Sequence, residues 1–351
     1  MSVRGGAEKC AAQIANALVA NNKVFLVSVL LKNGSNIFTL SKHVKFTCLM
    51  ESVKRKLSIG VFFKSIFKLR KFIKENNIET VIVVGVGLNL IACLATTYLD
   101  VKLISSEQRN VFAKDHVVRG IINRVVAALW FEKIVCLTNR DCEAYREKYR
   151  VKRKKLSYIY NYIDESWLNN GYDSSSRKII TVANLIPVKG IEYLIKVAEM
   201  VFSEIKDWQW DVYGDGDTEY REWLQNKIEQ KGLNKHVFLK GKCDNLKNIY
   251  NKYSIFVLTS ISEGMPLVLL EAKANCLPVV SFDCLTGPAE IIENNISGYL
   301  IEPYDVKNMA KMIISLVNNE NKRKQFSMEA KNNIHLFTQK RYVEQWNKVV
   351  G

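Results

Sequence analysis

Two glutamates in the second half of the chain have a spacing that could support chemistry on a ligand. Glu263 and Glu271 are separated by seven residues, and the apolar, β-branched run 254–258 precedes them. Such a short run predicts a buried parallel strand. Pro266 suits the first position of a helix, predicted over 267–275, because that position needs no N–H donor. Glu263 is therefore expected at the carboxyl end of a strand, and Glu271 inside the following helix.

The start of this predicted helix is a candidate binding surface for hydroxyls or an anionic group. Its first N–H groups lack partners within the helix, and the helix dipole places partial positive charge there. In an open α/β sheet, ligands also bind at the carboxyl ends of the strands. The residues expected to contact substrate here are Gly264, Met265, Pro266 and Leu267.

The setting of the two glutamates, S-E-G-x-P-x-x-x-x-E-A, resembles the E-x7-E signature of glycosyltransferase family 4. The resemblance implies an α/β protein of GT-B architecture, with two Rossmann-like, doubly wound domains that face a cleft. It also implies that Glu263 binds or electrostatically supports a donor sugar, whereas Glu271 holds the ribose hydroxyls. The alternative is an ordinary helix with one acid before it and another on its exposed face.

Residues 183–190 (ANLIPVKG) resemble the G-R-L-x-x-x-K-G turn of the same family, in which arginine and lysine grip the donor diphosphate. Lys189 matches that lysine, and with Glu263 it forms the predicted catalytic pair. Asn184 replaces the arginine, which removes a positive charge and a fork suited to phosphate. Lys189 and backbone amides could stabilise a leaving nucleoside diphosphate, so neither a metal nor another cofactor is expected. The alternative for Lys189 is a solvated lysine before a helix.

The resemblance adds substrate-binding positions elsewhere in the chain. Gly214 lies in a G-D-G turn like that of the family, and Lys240 lies in a strand whose backbone commonly contacts the nucleotide base. Glu107 and Gln108 occupy the place where the family often has S-E-H, so Gln108 supplies no imidazole there.

Gly5 and Gly6 precede a helical pattern and resemble the family's G-G-A-E loop, which faces the donor diphosphate and the acceptor. Glycines suit such a loop because the backbone must come close to the ligand. An apolar strand comes before this loop in the family, and it is absent here. We therefore expect a truncated or late-assigned start and a first domain that lacks its first strand.

Length and composition point to two globular domains in a cytoplasmic protein. The chain has 351 residues, of which 48% are hydrophobic, and this excludes a disordered chain. The eight cysteines form no C-x-x-C pair and the four histidines are scattered, so reduced thiols and no structural zinc are expected. No signal peptide is recognised.

The predicted organisation has four parts. An N-terminal, acceptor-side domain covers 1–165, a polar linker covers 166–177, and a nucleotide-sugar domain covers 178–334. A helix within 335–351 is expected to cross back to the first domain. The predicted strands are 23–31, 81–84, 102–105, 134–138, one within 154–164, 178–182, 210–213, 237–242, 254–258 and 278–282.

Positive charge is concentrated in the first half of the chain. Residues 1–165 carry 28 lysines and arginines against 13 acidic residues, a net charge of +15, whereas residues 166–351 carry 23 against 22, a net charge of +1. This asymmetry predicts an anionic partner; nucleic acid is not expected, because no nucleic-acid motif accompanies the charge. The basic, aromatic-containing stretch 49–74 is typical of a helix lying on an anionic membrane surface. An amphipathic helix packed on the sheet is an equal alternative.

Residues 81–99 contain no charged side chain over nineteen positions, close to the length that spans a bilayer. The glycines, the asparagine and the threonines within this stretch favour another interpretation. Residues 81–84 are predicted to form a buried strand, and 88–98 the helix that follows it. A transmembrane segment is the alternative.

The resemblance implies an enzyme of the EC 2.4 class, a retaining glycosyltransferase of surface-polysaccharide assembly. The element T-G-P-x-E-I-I at 286–292 looks most like members that use UDP-hexoses or UDP-N-acetylhexosamines. The expected acceptor is a saccharide on a polyprenyl diphosphate, at the inner face of the plasma membrane. A catalytically impaired sugar-nucleotide-binding protein of the same fold is the alternative. An epimerase is disfavoured, because no intact G-x-G-x-x-G follows an N-terminal strand.

Overall fold

Parallel strands alternate with helices along the described chain, and every strand pairing in it is parallel. The computed structural model describes residues 6–30, 39–50, 59–112, 117–168, 171–243 and 245–351. The chain divides into two units: the residues up to Asn161 together with Lys340–Gly351, and the continuous segment Tyr162–Gln339. The expected class, two parallel-sheet α/β domains, is confirmed.

In the described part of the first unit, five α-helices and six strands precede the point where the chain leaves it. They are α1 (Gly6–Leu18), β1 (Phe25–Ser28), β2 (Lys45–Cys48), α2 (Ile59–Glu75), β3 (Thr80–Val84), α3 (Asn89–Thr96), β4 (Lys102–Ser106), α4 (Val117–Trp130), β5 (Lys133–Cys136), α5 (Asn139–Tyr149) and β6 (Leu156–Tyr158). Among the described residues, β1 pairs with β2, and a second sheet has the order β3-β4-β5-β6. Helix α3 packs between α2 and α4, which in turn contacts α5.

The uncharged stretch 81–99 folds as a strand followed by a helix, as predicted. Strand β3 ends at Val84, and Gly85 then turns the backbone with a φ of +84°. Ile91 and Ala95 of α3 are buried against Leu69 and Ile73 of α2. Within the described ranges, no helix has the length and apolar character needed to cross a bilayer.

Two predicted strands of the first unit are shorter in the structure. The strand predicted over 23–31 is limited to β1, and the strand predicted over 134–138 ends at Cys136 as β5, whereas β6 lies within 154–164 as predicted. The last predicted residue of the first of these, Leu31, lies outside the described residues.

The described part of the second unit has one sheet of six strands, with helices packed on it. Its elements are β7 (Lys178–Val182), α6 (Ile191–Glu204), β8 (Gln209–Tyr213), α7 (Thr218–Gln230), β9 (Val237–Gly241), β10 (Ile255–Leu258), α8 (Leu267–Ala274), β11 (Val279–Phe282), α9 (Pro288–Ile291), β12 (Gly298–Ile301), α10 (Val306–Asn318) and α11 (Glu320–Glu329). The order β12-β11-β10-β7-β8-β9 means that the chain first builds outward from β7 to β9 and then returns to β10. The direction of winding therefore reverses between β7 and β10, which is the switch point where doubly wound sheets bind ligands.

The core of the second unit explains why its strands read clearly in the sequence. Ile179, Trp210, Ile255 and Val280, one from each of four adjacent strands, are completely or almost completely buried, together with α6 residues such as Leu194. Strands covered on both faces carry continuous apolar runs, and such runs are the pattern that predicted β7, β10 and β11.

The described residues of the predicted linker, 166–168 and 171–177, lie within the second unit. The division between the units lies at Asn161, earlier than the predicted boundary at 165. Among the described residues of the segment, Tyr172 donates a hydrogen bond to the backbone oxygen of Ser254 at 3.1 Å. Arg323 donates to the backbone oxygen of Ser174 at 2.8 Å. These contacts fix residues 171–177 to the second unit, and the polar composition alone did not reveal them.

The C-terminal helix, α12 (Gln339–Val350), belongs from Lys340 onward to the first unit. Tyr342 and Trp346 are buried, and Lys102 donates a hydrogen bond to the backbone oxygen of Val350 at 2.9 Å. The helix thus contributes to the core of a unit that most of the chain left at Asn161.

Candidate functional site

The predicted strand–turn–helix around the two glutamates forms at the switch point of the second sheet. Strand β10 is fully buried, its turn carries Glu263, and α8 carries Glu271. Pro266 is the residue before the helix and not its first residue, because its ψ of 106° is extended. Met265 and Pro266 are themselves buried, whereas Leu267 is half-buried. The side chains of Met265 and Pro266 therefore pack the turn, and only backbone groups there could contact a ligand.

The two predicted catalytic residues contact each other. Lys189 Nζ donates to Glu263 Oε1 at 2.7 Å, and the two residues follow the adjacent strands β7 and β10. The Glu263 side chain is 9% exposed and that of Lys189 is 25% exposed. Partial removal from water strengthens such a charge-assisted hydrogen bond. Lys189 is therefore not the solvated lysine of the alternative interpretation.

Backbone contacts hold the two loops together around this ion pair. Ile261 donates its N–H to the oxygen of Val188 at 2.9 Å, which joins the β10 loop to the β7 loop. Gly190 has a φ of +64°, and a Cβ there would lie 2.0 Å from the backbone oxygen of Thr259. Only glycine fits this close approach, and it brings Lys189 to Glu263.

The turn formed by residues 286–288 (T-G-P) packs against the backbone near Glu263. Thr286 Oγ1 donates to the backbone oxygen of Glu263 at 2.7 Å. Gly287 has a φ of +101°, and a Cβ there would lie 2.7 Å from Pro266 and 3.0 Å from the backbone oxygen of Gly264. The turn after β11 thus packs tightly on the turn after β10.

A tyrosine that the sequence did not single out orients Glu271. Tyr250 OH donates to Glu271 Oε2 at 3.0 Å, and the Tyr250 ring is fully buried between Trp167 and Phe256. Burial raises the pKa of Tyr250 well above its usual value, and the charge of Glu271 adds to this. The phenol therefore remains a donor, which keeps one carboxylate oxygen of Glu271 in place.

Lys273, two residues after Glu271, has a different environment. It is 3% exposed and lines a small apolar cavity with Leu269, Leu277 and Ile291. Its amine has no hydrogen-bond partner among the described residues. Burial lowers the pKa of Lys273 to about 8, which makes this lysine a structural liability at neutral pH.

The other predicted positions of the second unit lie at the same edge of its sheet. Asn184 is exposed just after β7. Gly214 has a φ of +152°, and a Cβ there would lie 1.8 Å from the backbone oxygen of Ala183, so its role in the structure is close packing of the two loops. Lys240 is exposed on the edge strand β9, which β8 separates from β7.

In the first unit, Glu107 is buried in a hydrogen-bonded network. It is 2% exposed, its carboxylate accepts from Arg124 at 3.3 Å, and Tyr145 OH donates to it at 3.4 Å. Burial raises the pKa of Glu107, and the charge of Arg124 opposes the rise. The Glu107 side chain thus links the end of β4 to α4 and α5, and its contact with substrate stays a prediction.

The remaining positions of the first unit are less informative. Gln108 is half-buried and donates to Ser106 Oγ at 2.8 Å. Gly6 is the first residue of α1, and Gly5 lies outside the described residues.

The cysteines carry no disulfide, and all eight are thiols. Cys284 is buried in the loop after β11. Burial raises its pKa to about 12, and the charge of Glu263 contributes. Cys284 is therefore a neutral neighbour of the ion pair. In the described ranges, no group of three histidine, cysteine, aspartate or glutamate residues could hold a metal ion.

Two sequence families together cover almost the whole chain. Residues 4–167 match Glycosyltransferase Family 4, and residues 168–333 match Glycosyl transferases group 1. The border between the two matches falls near the division between the two units.

Curated relatives of similar length are bacterial glycosyltransferases. An uncharacterized glycosyltransferase of Haemophilus influenzae is 27% identical over 99% of this chain and 96% of its own length. A Campylobacter jejuni enzyme is 27% identical over 99% of this chain and 95% of its own length. It is named GalNAc-alpha-(1->4)-GalNAc-alpha-(1->3)-diNAcBac-PP-undecaprenol alpha-1,4-N-acetyl-D-galactosaminyltransferase.

The fold has close counterparts among solved structures. Anabaena HepE in complex with UDP superimposes with a TM-score of 0.81 at 16% identity, over 100% of this chain and 97% of HepE. The two matched families, the relatives and this fold agree with one another. The chain therefore belongs to the glycosyltransferases that join a Family 4 domain to a group 1 domain, and it is a transferase of the EC 2.4 class with the GT-B fold.

Proposed function

We propose that this glycosyltransferase is a retaining enzyme that moves a hexose or an N-acetylhexosamine from a UDP-linked donor to a saccharide on a polyprenyl diphosphate. The reaction would serve the assembly of a bacterial surface polysaccharide. The observation that carries the proposal is the ion pair of Lys189 and Glu263 at the switch point of the second sheet.

Donor binding would exchange the partner of Lys189. The amine donates to the Glu263 carboxylate at 2.7 Å. A diphosphate carries more negative charge than a carboxylate, and a quarter of the Lys189 side chain remains accessible to it. When Lys189 turns to the diphosphate, Glu263 becomes available to the donor sugar, which is the role that the E-x7-E resemblance implies.

Glu271 would hold the ribose of the donor nucleotide. A carboxylate can accept hydrogen bonds from both ribose hydroxyls, and here Tyr250 fixes one of its oxygens at 3.0 Å. Tyr250 is rigid because it is buried between two aromatic rings. The Glu271 carboxylate would therefore already be oriented when the ribose binds.

Transfer would proceed on one face of the sugar through an oxocarbenium-like state. The bond between the sugar C1 and the diphosphate oxygen breaks, and the acceptor hydroxyl oxygen bonds to C1. The acceptor proton passes to the departing diphosphate oxygen. Lys189 would stabilise the charge that develops on that oxygen, and the proposal assigns this task to the lysine and not to a metal ion or another cofactor.

The acceptor and the location are proposed from charge and from a relative. The first 165 residues carry a net charge of +15, which suits a diphosphate-linked acceptor and an anionic membrane surface. The name of the Campylobacter jejuni relative includes a PP-undecaprenol-linked acceptor. We therefore propose action in the cytoplasm, at the inner face of the plasma membrane, and no nucleic-acid partner.

A donor panel tests this proposal directly. The purified protein is incubated with UDP-glucose, UDP-galactose, UDP-N-acetylglucosamine or UDP-N-acetylgalactosamine and a polyprenyl-diphosphate-linked saccharide, with and without EDTA. One donor should release UDP in step with acceptor elongation, and EDTA should not prevent it. The product should keep the anomeric configuration of the donor.

The same experiment distinguishes the main rival. Asn184 and Gln108 replace the arginine and histidine that the resemblance leads one to expect, so a binding protein without turnover is the second candidate. Calorimetric binding of UDP with no transfer from any of the four donors would favour that candidate and refute the proposed reaction.

A further inference from the structure

Helix α4 of the first unit exposes a continuous apolar face. Val118, Ile121, Ile122, Val125 and Leu129 are between 39% and 72% exposed. At 3.6 residues per turn, they lie within an arc of about 100° along the whole helix. We call these five residues the α4 face. Trp130, 61% exposed, ends the helix beside them.

The opposite side of the same helix is well packed, so the exposure is not a sign of loose structure. Asn123, Arg124, Val126 and Ala127 are 7% exposed or less. Arg124 donates to Glu107, and Asn123 accepts from the N–H of Leu90 at 2.9 Å. The helix is fixed to β4 and α3, and the α4 face is held outward. Contiguous apolar exposure of this kind marks an interaction surface.

Charged residues frame this apolar region on both sides. Helix α3, which lies between α4 and α2, has no charged residue and exposes Leu94. Beyond it, α2 exposes Lys64, Lys68, Lys71 and Lys74, against one exposed acid, Glu75. On the other side, α5 exposes Arg140, Arg146 and Lys148, against Glu147.

We propose that the α4 face inserts into the surface of an anionic lipid bilayer, with the basic side chains of α2 and α5 at the headgroups. An apolar helix side flanked by lysines and arginines is the arrangement that interfacial helices present to such membranes. The inference deepens the proposed function by naming the surface that meets the membrane. It rests on that function only for the identity of the acceptor, since lipid binding requires no turnover.

The composition of the surface argues against two other occupants. Two copies related by a two-fold axis across α4 would bring basic helices against basic helices, which like-charge repulsion disfavours. A protein partner usually needs about ten hydrogen bonds across its interface, and no side chain of the α4 face can donate or accept one. A lipid surface needs none from these side chains.

Sedimentation with vesicles tests the proposal. The full chain is mixed, without substrates, with vesicles of phosphatidylcholine alone or with added phosphatidylglycerol. Binding is expected with phosphatidylglycerol, and it should weaken at high salt as the charges are screened. The double variant Val125→Gln/Leu129→Gln should bind these vesicles at least roughly tenfold more weakly, because two apolar side chains no longer enter the bilayer.

A matched double variant controls for the change in composition. Met200 and Met328 are exposed on helices of the second unit by 36% and 72%, close to the 39% and 61% of Val125 and Leu129. Met200→Gln/Met328→Gln should bind vesicles as the wild type does. Both variants should bind UDP with unchanged affinity, so a failure of lipid binding is distinguishable from a failure of the proposed reaction.

The outcomes that would overturn the inference are specific. Equal vesicle binding by the two double variants would remove the α4 face from the membrane contact. A dimer in light scattering that Val125→Gln/Leu129→Gln dissociates, with no vesicle binding by the wild type, would make the face an interface between copies. If Val125→Gln/Leu129→Gln is less stable than the wild type, hydrogen exchange of the backbone amides of residues 118–130 is measured in the wild type instead. The proposal is refuted if phosphatidylglycerol vesicles do not slow this exchange.

Discussion

Replacing Glu263 by glutamine should separate donor binding from transfer. The change nearly preserves the shape of the side chain and removes the negative charge that Lys189 contacts at 2.7 Å. Lys189 can then meet a diphosphate without first leaving a carboxylate. We expect UDP to bind more tightly to Glu263→Gln than to the wild type, and sugar transfer to slow.

The size of the gain follows from the exposure of the pair. The side chains of Lys189 and Glu263 are 25% and 9% exposed, between a surface pair and a buried one. Surface pairs contribute about 0–1 kcal/mol, and removing one partner of a buried pair costs about 3–5 kcal/mol. Because Lys189 keeps part of its hydration, we expect Glu263→Gln to bind UDP more favourably than the wild type by about 1 kcal/mol. This corresponds to a Kd that is roughly fivefold lower. Lost support at the sugar should lower kcat about 10²-fold.

Calorimetry with UDP and steady-state rates with the active donor measure the two effects. Lys189→Met is the matched control, since it removes the other charge of the pair and should weaken UDP binding and turnover together. If Glu263→Gln loses UDP affinity as Lys189→Met does, the carboxylate positions the lysine for the diphosphate instead of competing with it. The partner exchange described above would then be refuted.

Four further substitutions test other parts of the second unit. Glu271→Ala should weaken UDP binding about tenfold or more, and Tyr250→Phe should weaken it less, by calorimetry; unchanged affinity in both would remove Glu271 from the ribose. Gly190→Ala should lower the free energy of unfolding by at least about 2 kcal/mol, because its Cβ would lie 2.0 Å from Thr259 O; an unchanged melting temperature would contradict this contact. Lys273→Met should raise stability at pH 7 by about 2 kcal/mol, because the folded-state pKa is lowered from 10.5 to about 8. Between these two pKa values Lys273 is protonated in the unfolded state but not in the folded state. The free energy of unfolding of the wild type, measured with urea, should therefore rise from pH 8 to 10.5 and approach that of the variant. A difference between wild type and variant that stays constant over this pH range would refute the prediction.

Local pattern was sufficient for most strands of the second unit. The predicted bounds of β7 agree with the structure residue for residue, and those of β8, β10 and β11 differ by one residue at most. Strands β7, β10 and β11 are mostly apolar and buried, whereas β8 combines buried residues with Gln209 and Asp211 and leads into a glycine turn. Such strands carry their burial in their own sequence.

Contacts between distant segments were not predictable in the same way. Tyr250 meets Glu271 across twenty-one positions of sequence, and Arg124 meets Glu107 across seventeen. Tyr250 and Arg124 do not belong to a motif. The sequence around each glutamate therefore does not indicate that Glu271 is oriented or that Glu107 is buried. A family pattern places a residue in the chain, but its neighbours in space decide whether its side chain reaches a ligand.

The exposed apolar side of α4 could not be predicted from the sequence either. Its sequence, VVRGIINRVVAALW, is apolar over most of its circumference, which by itself predicts a buried helix. The polar residues Asn123 and Arg124 face inward because Leu90 and Glu107 supply their partners. The polar side of α4 is therefore buried and an apolar side is exposed. The hydrophobic periodicity of the sequence cannot show which side faces solvent.

The path of the chain has a consequence for biosynthesis. The second unit is one continuous segment and can fold as soon as Gln339 has left the ribosome. The first unit is synthesised earlier but waits for α12, whose Tyr342 and Trp346 complete its core. The half of the enzyme made first is thus the half that matures last, and nascent chains would expose an unfinished core throughout synthesis of the other half.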